Sequence, residues 1–129
     1  MMEAMGWISL SPSTDGEHAI NQTEDLLKKV LKLIDSFQSI NQFIEVKELN
    51  GSNYLLIGIN HNHNNGIIES VEQLIKNIGL LSKGCYGIVY VRDDESLENV
   101  NFRTVKLARG RVDIAEDSLL SPCNPTIED

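Results

Sequence analysis

Three groups of residues in this 129-residue chain are of types that could do chemistry: Asp93-Asp94-Glu95, the His61-Asn62-His63 pair, and the two cysteines Cys85 and Cys123. Adjacent carboxylates suit a hard cation such as magnesium, as in a nuclease or phosphatase, because oxygen donors match it. A phosphodiester substrate would also need basic groups to hold it, and only Arg92 and Arg103 lie close in sequence. Two histidines one residue apart can share a face of an extended strand, but a catalytic zinc needs a third protein ligand and an open position. No His-Glu-x-x-His or paired-cysteine motif supplies that ligand, and His18 is remote in sequence. A cysteine nucleophile needs an activated thiolate beside a base, and neither cysteine sits in an activating motif. The glycines are scattered rather than gathered into a phosphate loop, and no Gly-x-Ser-x-Gly occurs. A metal-dependent hydrolase built on Asp93, Asp94 and Glu95 or on His61 and His63 is therefore the second-ranked reading, and no metal or cofactor is expected.

Charge argues for a binding role. The chain carries 19 acidic and 11 basic residues, a formal net charge of -8, and the excess is spread along its length. Nucleic-acid affinity rests on Lys and Arg displacing condensed counterions, so direct binding to a phosphate backbone is disfavoured. Clusters without a compensating base, such as Asp93 to Glu95 and Glu128-Asp129, suit a cationic protein surface, steering encounter and fixing register. The alternative for any one cluster is a solvated loop that serves solubility. No stretch approaches the roughly 20 apolar residues needed to span a bilayer, and no secretory leader is evident, so a cytoplasmic address and reduced, structural thiols are expected.

The elements that must position these residues follow from periodicity. Gly6 to Leu10 reads as a strand with Trp7 and Ile8 on opposite faces, and core packing is expected for Trp7. Leu26, Leu27, Val30, Leu31, Leu33, Ile34 and Phe37 form an apolar stripe that predicts a helix with Thr23 as its N-cap. Phe43 to Leu49 and Tyr54 to Asn60 predict a hairpin about Asn50-Gly51-Ser52-Asn53. Beyond the Asn-rich loop, Ile67, Ile68, Val71, Leu74, Ile75 and Ile78 predict a second helix ended by Gly79. Tyr86 to Arg92 predicts a central strand, and Phe102 to Ala108 with Arg111 to Ile114 a last hairpin about Arg109-Gly110. The fold expected is α+β: a largely antiparallel sheet with two helices on one face, in the ferredoxin-like order β-α-β-β-α-β plus a C-terminal hairpin. One domain covers 1–129, with an extended tail from about Asp117 in which Pro122 aims Ile127 at the body and leaves Glu128 and Asp129 exposed.

An ordered set of short motifs runs through this frame: Gly6-Trp7 in the first strand, Arg92-Asp93-Asp94-Glu95, Asn101-Phe102-Arg103, Leu107-Ala108-Arg109-Gly110, and Leu120-Ser121-Pro122-Cys123 before an acidic end. The set resembles the immunity protein 7 family of bacterial polymorphic toxin systems, as distinct from the small helical colicin-immunity proteins. The resemblance implies an antitoxin that silences the C-terminal domain of a cognate toxin, expected to be basic and a nuclease, by stoichiometric binding without chemistry. A free monomer or weak dimer is expected. With the charge pattern, the toxin contacts expected are Asp93, Asp94, Glu95, Asp117, Glu128 and Asp129. A small-molecule-binding ferredoxin-like module is a further alternative, which fold alone cannot argue.

Overall fold

The computed structural model describes residues 1–37, 42–97 and 100–128. The elements run β1 (Met2–Leu10), α1 (Ile20–Ser36), β2 (Gln42–Leu49), β3 (Ser52–His61), α2 (Ile67–Leu81), β4 (Tyr86–Asp93), β5 (Arg103–Ala108), β6 (Arg111–Glu116) and a one-turn segment α3 (Cys123–Thr126). They form a single six-stranded sheet in the order β2-β3-β1-β4-β5-β6, antiparallel at every junction. The first four strands thus have the expected ferredoxin-like order, and the β5–β6 hairpin extends the sheet beyond β4.

Side-chain alternation along the strands determines which face is buried. On β1, Met2, Ala4, Ile8 and Leu10 point into the core; they meet Leu55, Ile57 and Ile59 of β3 and Val89 and Val91 of β4. The apolar stripes of both long helices close over these residues, with Leu26 and Val30 from α1 and Ile68, Val71, Ile75 and Ile78 from α2. Burying a Leu or Ile of this kind contributes about 1.5–3 kcal/mol. Both long helices lie on this one face.

Turn chemistry fixes the two hairpins. Leu49 pairs with Ser52 across Asn50-Gly51, whose φ angles are 53° and 81°, and Ala108 pairs with Arg111 across Arg109-Gly110, at 52° and 76°. Positive φ at both central residues is the type I′ geometry that matches the right-handed twist of paired strands. At Gly6, by contrast, space is the constraint: a Cβ there would run into the carbonyl oxygen of Ile88 and the Cα of Val89. The Gly6-Trp7 pair therefore lets β1 lie close against β4.

Several boundaries differ from expectation. β1 begins at Met2, because pairing with both β3 and β4 holds its first residues. Thr23 lies inside α1 and is not its cap; the helix starts earlier because the Gln22 side chain turns back to accept the Ala19 N–H at 2.9 Å. Gly79 does not end α2, which continues to Leu81. There the missing side chain makes room for the β5–β6 hairpin, since a Cβ would sit 2.8 Å from Leu107 Cδ1 and 3.5 Å from Gly110 Cα. The start of α2 is held by Asn64, whose Oδ1 accepts the Ile68 N–H at 2.8 Å, which gives one of the loop asparagines a structural role.

Candidate functional site

The acidic turn after β4 is tied into the protein from several sides. Asp93 is only 6% exposed, and its Oδ1 accepts the Glu95 N–H at 3.1 Å, so this carboxylate shapes the turn instead of presenting itself to solvent. Asp94 Oδ1 lies 2.7 Å from the Met1 amino group, and that hydrogen bond holds the Asp94 carboxyl below its usual range. Glu95 Oε2 is 3.0 Å from His63 Nδ1, and this contact lowers the Glu95 carboxyl in the same way. Among the described residues neither Arg103 nor Arg109 pairs with the turn. Asp94 and Glu95 remain at the surface, each with a cationic or polar partner already beside it.

The tail returns to the same end of the sheet. Asp117 is also 6% exposed, and its Oδ2 accepts the Leu120 N–H at 2.9 Å, so it too holds a turn where an exposed contact was expected. The Asn101 side chain accepts the Cys123 N–H at 2.9 Å, and Arg92 pairs with Glu128 at 2.8 Å. The Arg92 side chain is almost wholly buried, donates from Nε to the Val100 carbonyl at 3.0 Å, and sits 5.7 Å over the Phe102 ring. Glu128 is exposed, and its carboxylate is matched by Arg92. Ile127 is 46% exposed, so the Pro122 turn does not aim it at the body; the short α3 turn intervenes in what was expected to be an extended tail. Asp129 lies outside the described residues.

The feature missed in the sequence is the other face of the sheet. Neither long helix covers it, and on it Trp7 is 39% exposed, a correction to the core role expected for it. The indole stands edge-on to Tyr54 at 6.4 Å and to Tyr86 at 6.0 Å. Around it lie Met5, Phe43 and Tyr86, each about half-exposed, with Leu56, Ile88 and Tyr90 partly covered. The signal for it was the unbroken apolar run Met5-Gly6-Trp7-Ile8, which puts apolar residues on both faces of β1 where one helical layer can cover only one.

Two hollows flank this face. An apolar groove of about 370 Å³ runs between Met5, Tyr90 and Phe102 on one side and Leu119 and Leu120 of the tail on the other, with Glu3 and Asp117 at its margin. At the far end of the sheet a polar cleft of about 600 Å³ is bounded by the 11–18 loop, the hairpin tip at Gly51–Asn53, and Lys83 and Arg109.

Of the candidate catalytic groups, His63 and Glu95 are brought together, but no metal-binding or nucleophile-base set is assembled among the described residues. His61 Nδ1 faces the His63 carbonyl at 3.1 Å, while His63 turns to Glu95 and His18 lines the distant polar cleft. Among the described residues no three His, Cys, Asp or Glu side chains are grouped so as to hold a metal ion. Cys85 and Cys123 are both free and buried, and burial pushes the Cys85 thiol up, away from the thiolate a nucleophile needs. No helix among the described residues is long and apolar enough to cross a membrane.

Comparison with solved structures finds a phage SAM lyase in complex with S-methyl-5′-thioadenosine, at 14% identity and a TM-score of 0.38 over 93% of this chain and 91% of that one. A likeness that remote bears on neither fold nor function. No curated protein matches. The family model for immunity protein 7, however, matches residues 1–129, from the first strand to the acidic end. The chain belongs to the immunity protein 7 family.

Proposed function

We propose that this protein neutralises a cognate toxin domain by direct, stoichiometric binding and performs no chemistry of its own. The match of an immunity-protein family to the whole chain carries this reading. The surface supports it: a chain of net charge -8 is attracted to a basic toxin, such as a nuclease whose active site must hold phosphates, and repelled by that toxin's nucleic-acid substrate. Covering a cationic groove would silence the toxin. Asp94, Glu95 and Glu128 are the surface carboxylates proposed to meet it, with Asp129 next to Glu128 in sequence, while Asp93 holds the turn of Asp94 and Glu95 and Asp117 a turn of the tail. Long-range attraction of this kind can raise association rates toward ~10⁸ M⁻¹s⁻¹ at low salt. A cytoplasmic, monomeric inhibitor, present where the toxin is made, fits the same reading.

Titrating the protein against the activity of the toxin domain encoded beside its gene tests the proposal. Toxin activity should fall in a straight line to zero at one equivalent, and chelator should leave the inhibition unchanged. Complete inhibition by a small fraction of an equivalent would instead mark an enzyme that modifies the toxin. Restoration of toxin activity by chelator would mark a metal-dependent one.

A further inference from the structure

We infer that the face of the sheet free of the two long helices, and not the acidic turn alone, is the surface that seats the toxin; this rests on the antitoxin reading above. Every aromatic residue of the chain except Phe37 lies on this face or on the groove at its margin, although the core lies on the opposite side. Aromatic side chains dominate interface energetics because they give large contact area at low entropic cost, and they concentrate at the centre of a docking surface. Here Trp7 is braced by Tyr54 and Tyr86, so its ring is held in place before a partner arrives.

Charge selects the occupant. The carboxylates of this face are unequal: Glu45 is 3.5 Å from Lys47 and Asp113 is 3.6 Å from Lys106, so each is already matched. The Glu3 side chain, at the mouth of the apolar groove, has no ion pair or hydrogen bond among the described residues, because the arginine opposite it in register, Arg92, is drawn away to Glu128. The groove itself has apolar walls and room for a large side chain. An apolar side chain flanked by a Lys or Arg fits this arrangement, the first entering the groove and the second meeting Glu3. A second copy of this chain fits it poorly: two bodies of net charge -8 repel, and a two-fold interface through this face would bury two unpaired carboxylates.

The experiment is binding of the cognate toxin domain to the wild-type protein and to three variants, Glu3→Lys, Trp7→Ala and, on the exposed side of α2, Leu80→Lys. Trp7→Ala, by removing the central aromatic, and Glu3→Lys, by reversing the charge that meets a cation, should each weaken the complex roughly thirtyfold or more, while Leu80→Lys leaves it within about threefold. Circular dichroism confirms folding; because the Glu3 side chain has no partner among the described residues, its variant keeps the test decisive even where Trp7→Ala unfolds. Wild-type affinity retained by Glu3→Lys and by folded Trp7→Ala would overturn the inference and leave the antitoxin reading intact. No binding by the wild-type protein would overturn both. A free protein that sediments as a dimer and is split by Trp7→Ala would reassign the face to a second copy.

Discussion

Trp7 and Tyr86 stand edge-to-face, ring centroids 6.0 Å apart with an interplanar angle of 86°, on the side of the sheet that carries no long helix. Trp7 is 39% exposed, so its removal takes away an aromatic contact and part of an apolar area without opening a cavity. Trp7→Ala should therefore cost about 1–2 kcal/mol in urea unfolding, against about 2–5 kcal/mol for Leu55→Ala in the core. Equal losses at the two positions would mean that Trp7 is a core residue after all.

Gly6 precedes Trp7 for a steric reason that makes its own prediction. A methyl group at Gly6 meets the backbone of Ile88 and Val89, which cannot rotate aside as a side chain can. Gly6→Ala should destabilise the fold by about 1–3 kcal/mol, although alanine suits an extended backbone better than glycine does. A thermal melt unchanged by this substitution would show that β1 and β4 can separate freely.

How much of this was legible in the sequence depends on whether the information is local. Asn50-Gly51 announces its hairpin because positive φ at two adjacent positions favours Asn and Gly, at Arg109-Gly110 the glycine alone carries that signal, and the helical stripes at Leu26 to Phe37 and Ile67 to Ile78 are strong. Trp7 was misread because Trp7 and Ile8 are both apolar and sit on opposite faces; only the placement of α1 and α2, a tertiary fact, says which face is covered. Gly79 was misread for a related reason, since a glycine at a helix end and a glycine under a hairpin look alike until the hairpin is in place. Among the candidate contacts, the acids were found but not their partners: Arg92 and Glu128 are far apart in sequence, and nothing local pairs them. Nor does a run of carboxylates reveal that Asp93 and Asp117 turn inward to hold backbone amides.

The Arg92–Glu128 pair makes the tail conditional. Arg92 is 3% exposed and makes its charged contact with a half-exposed partner, so its loss removes the tail's ion pair as well as a buried side chain. Arg92→Ala should lower stability by on the order of 1–3 kcal/mol, solvent screening at Glu128 keeping it below the cost of breaking a fully buried pair, and should expose residues 118–128 to limited proteolysis. A tail equally protease-resistant in the variant would place its anchor elsewhere, at Asn101 and Cys123.

Glu72 on α2 gives a pH dependence of definite sign. Partial burial, then the neighbouring Glu69, raises its carboxyl above the ordinary 4.5. The folded state therefore holds that proton more tightly than the unfolded one, so ionisation of Glu72 subtracts stability as pH rises through the unfolded and then the folded value. Glu72→Gln should melt slightly higher than wild type at pH 7 and indistinguishably from it well below pH 4.5. A variant less stable at pH 7 would show that Glu72 is held by a favourable contact to Lys76 or Arg103.

The thiols can be counted directly. Cys85 and Cys123 are buried and free, so neither should react with a disulfide reagent in the folded protein, and both should react on addition of denaturant. Rapid modification of either in the native state would identify an accessible, activated thiol and revive a catalytic reading.

An acidic antitoxin of this family, as proposed, binds a basic toxin domain. Calorimetric titration into the toxin domain encoded by the neighbouring gene, at low and at physiological salt, tests it most directly. Binding should be one-to-one and weaken as salt rises; no heat at either salt, with both proteins folded, would contradict the proposed antitoxin role.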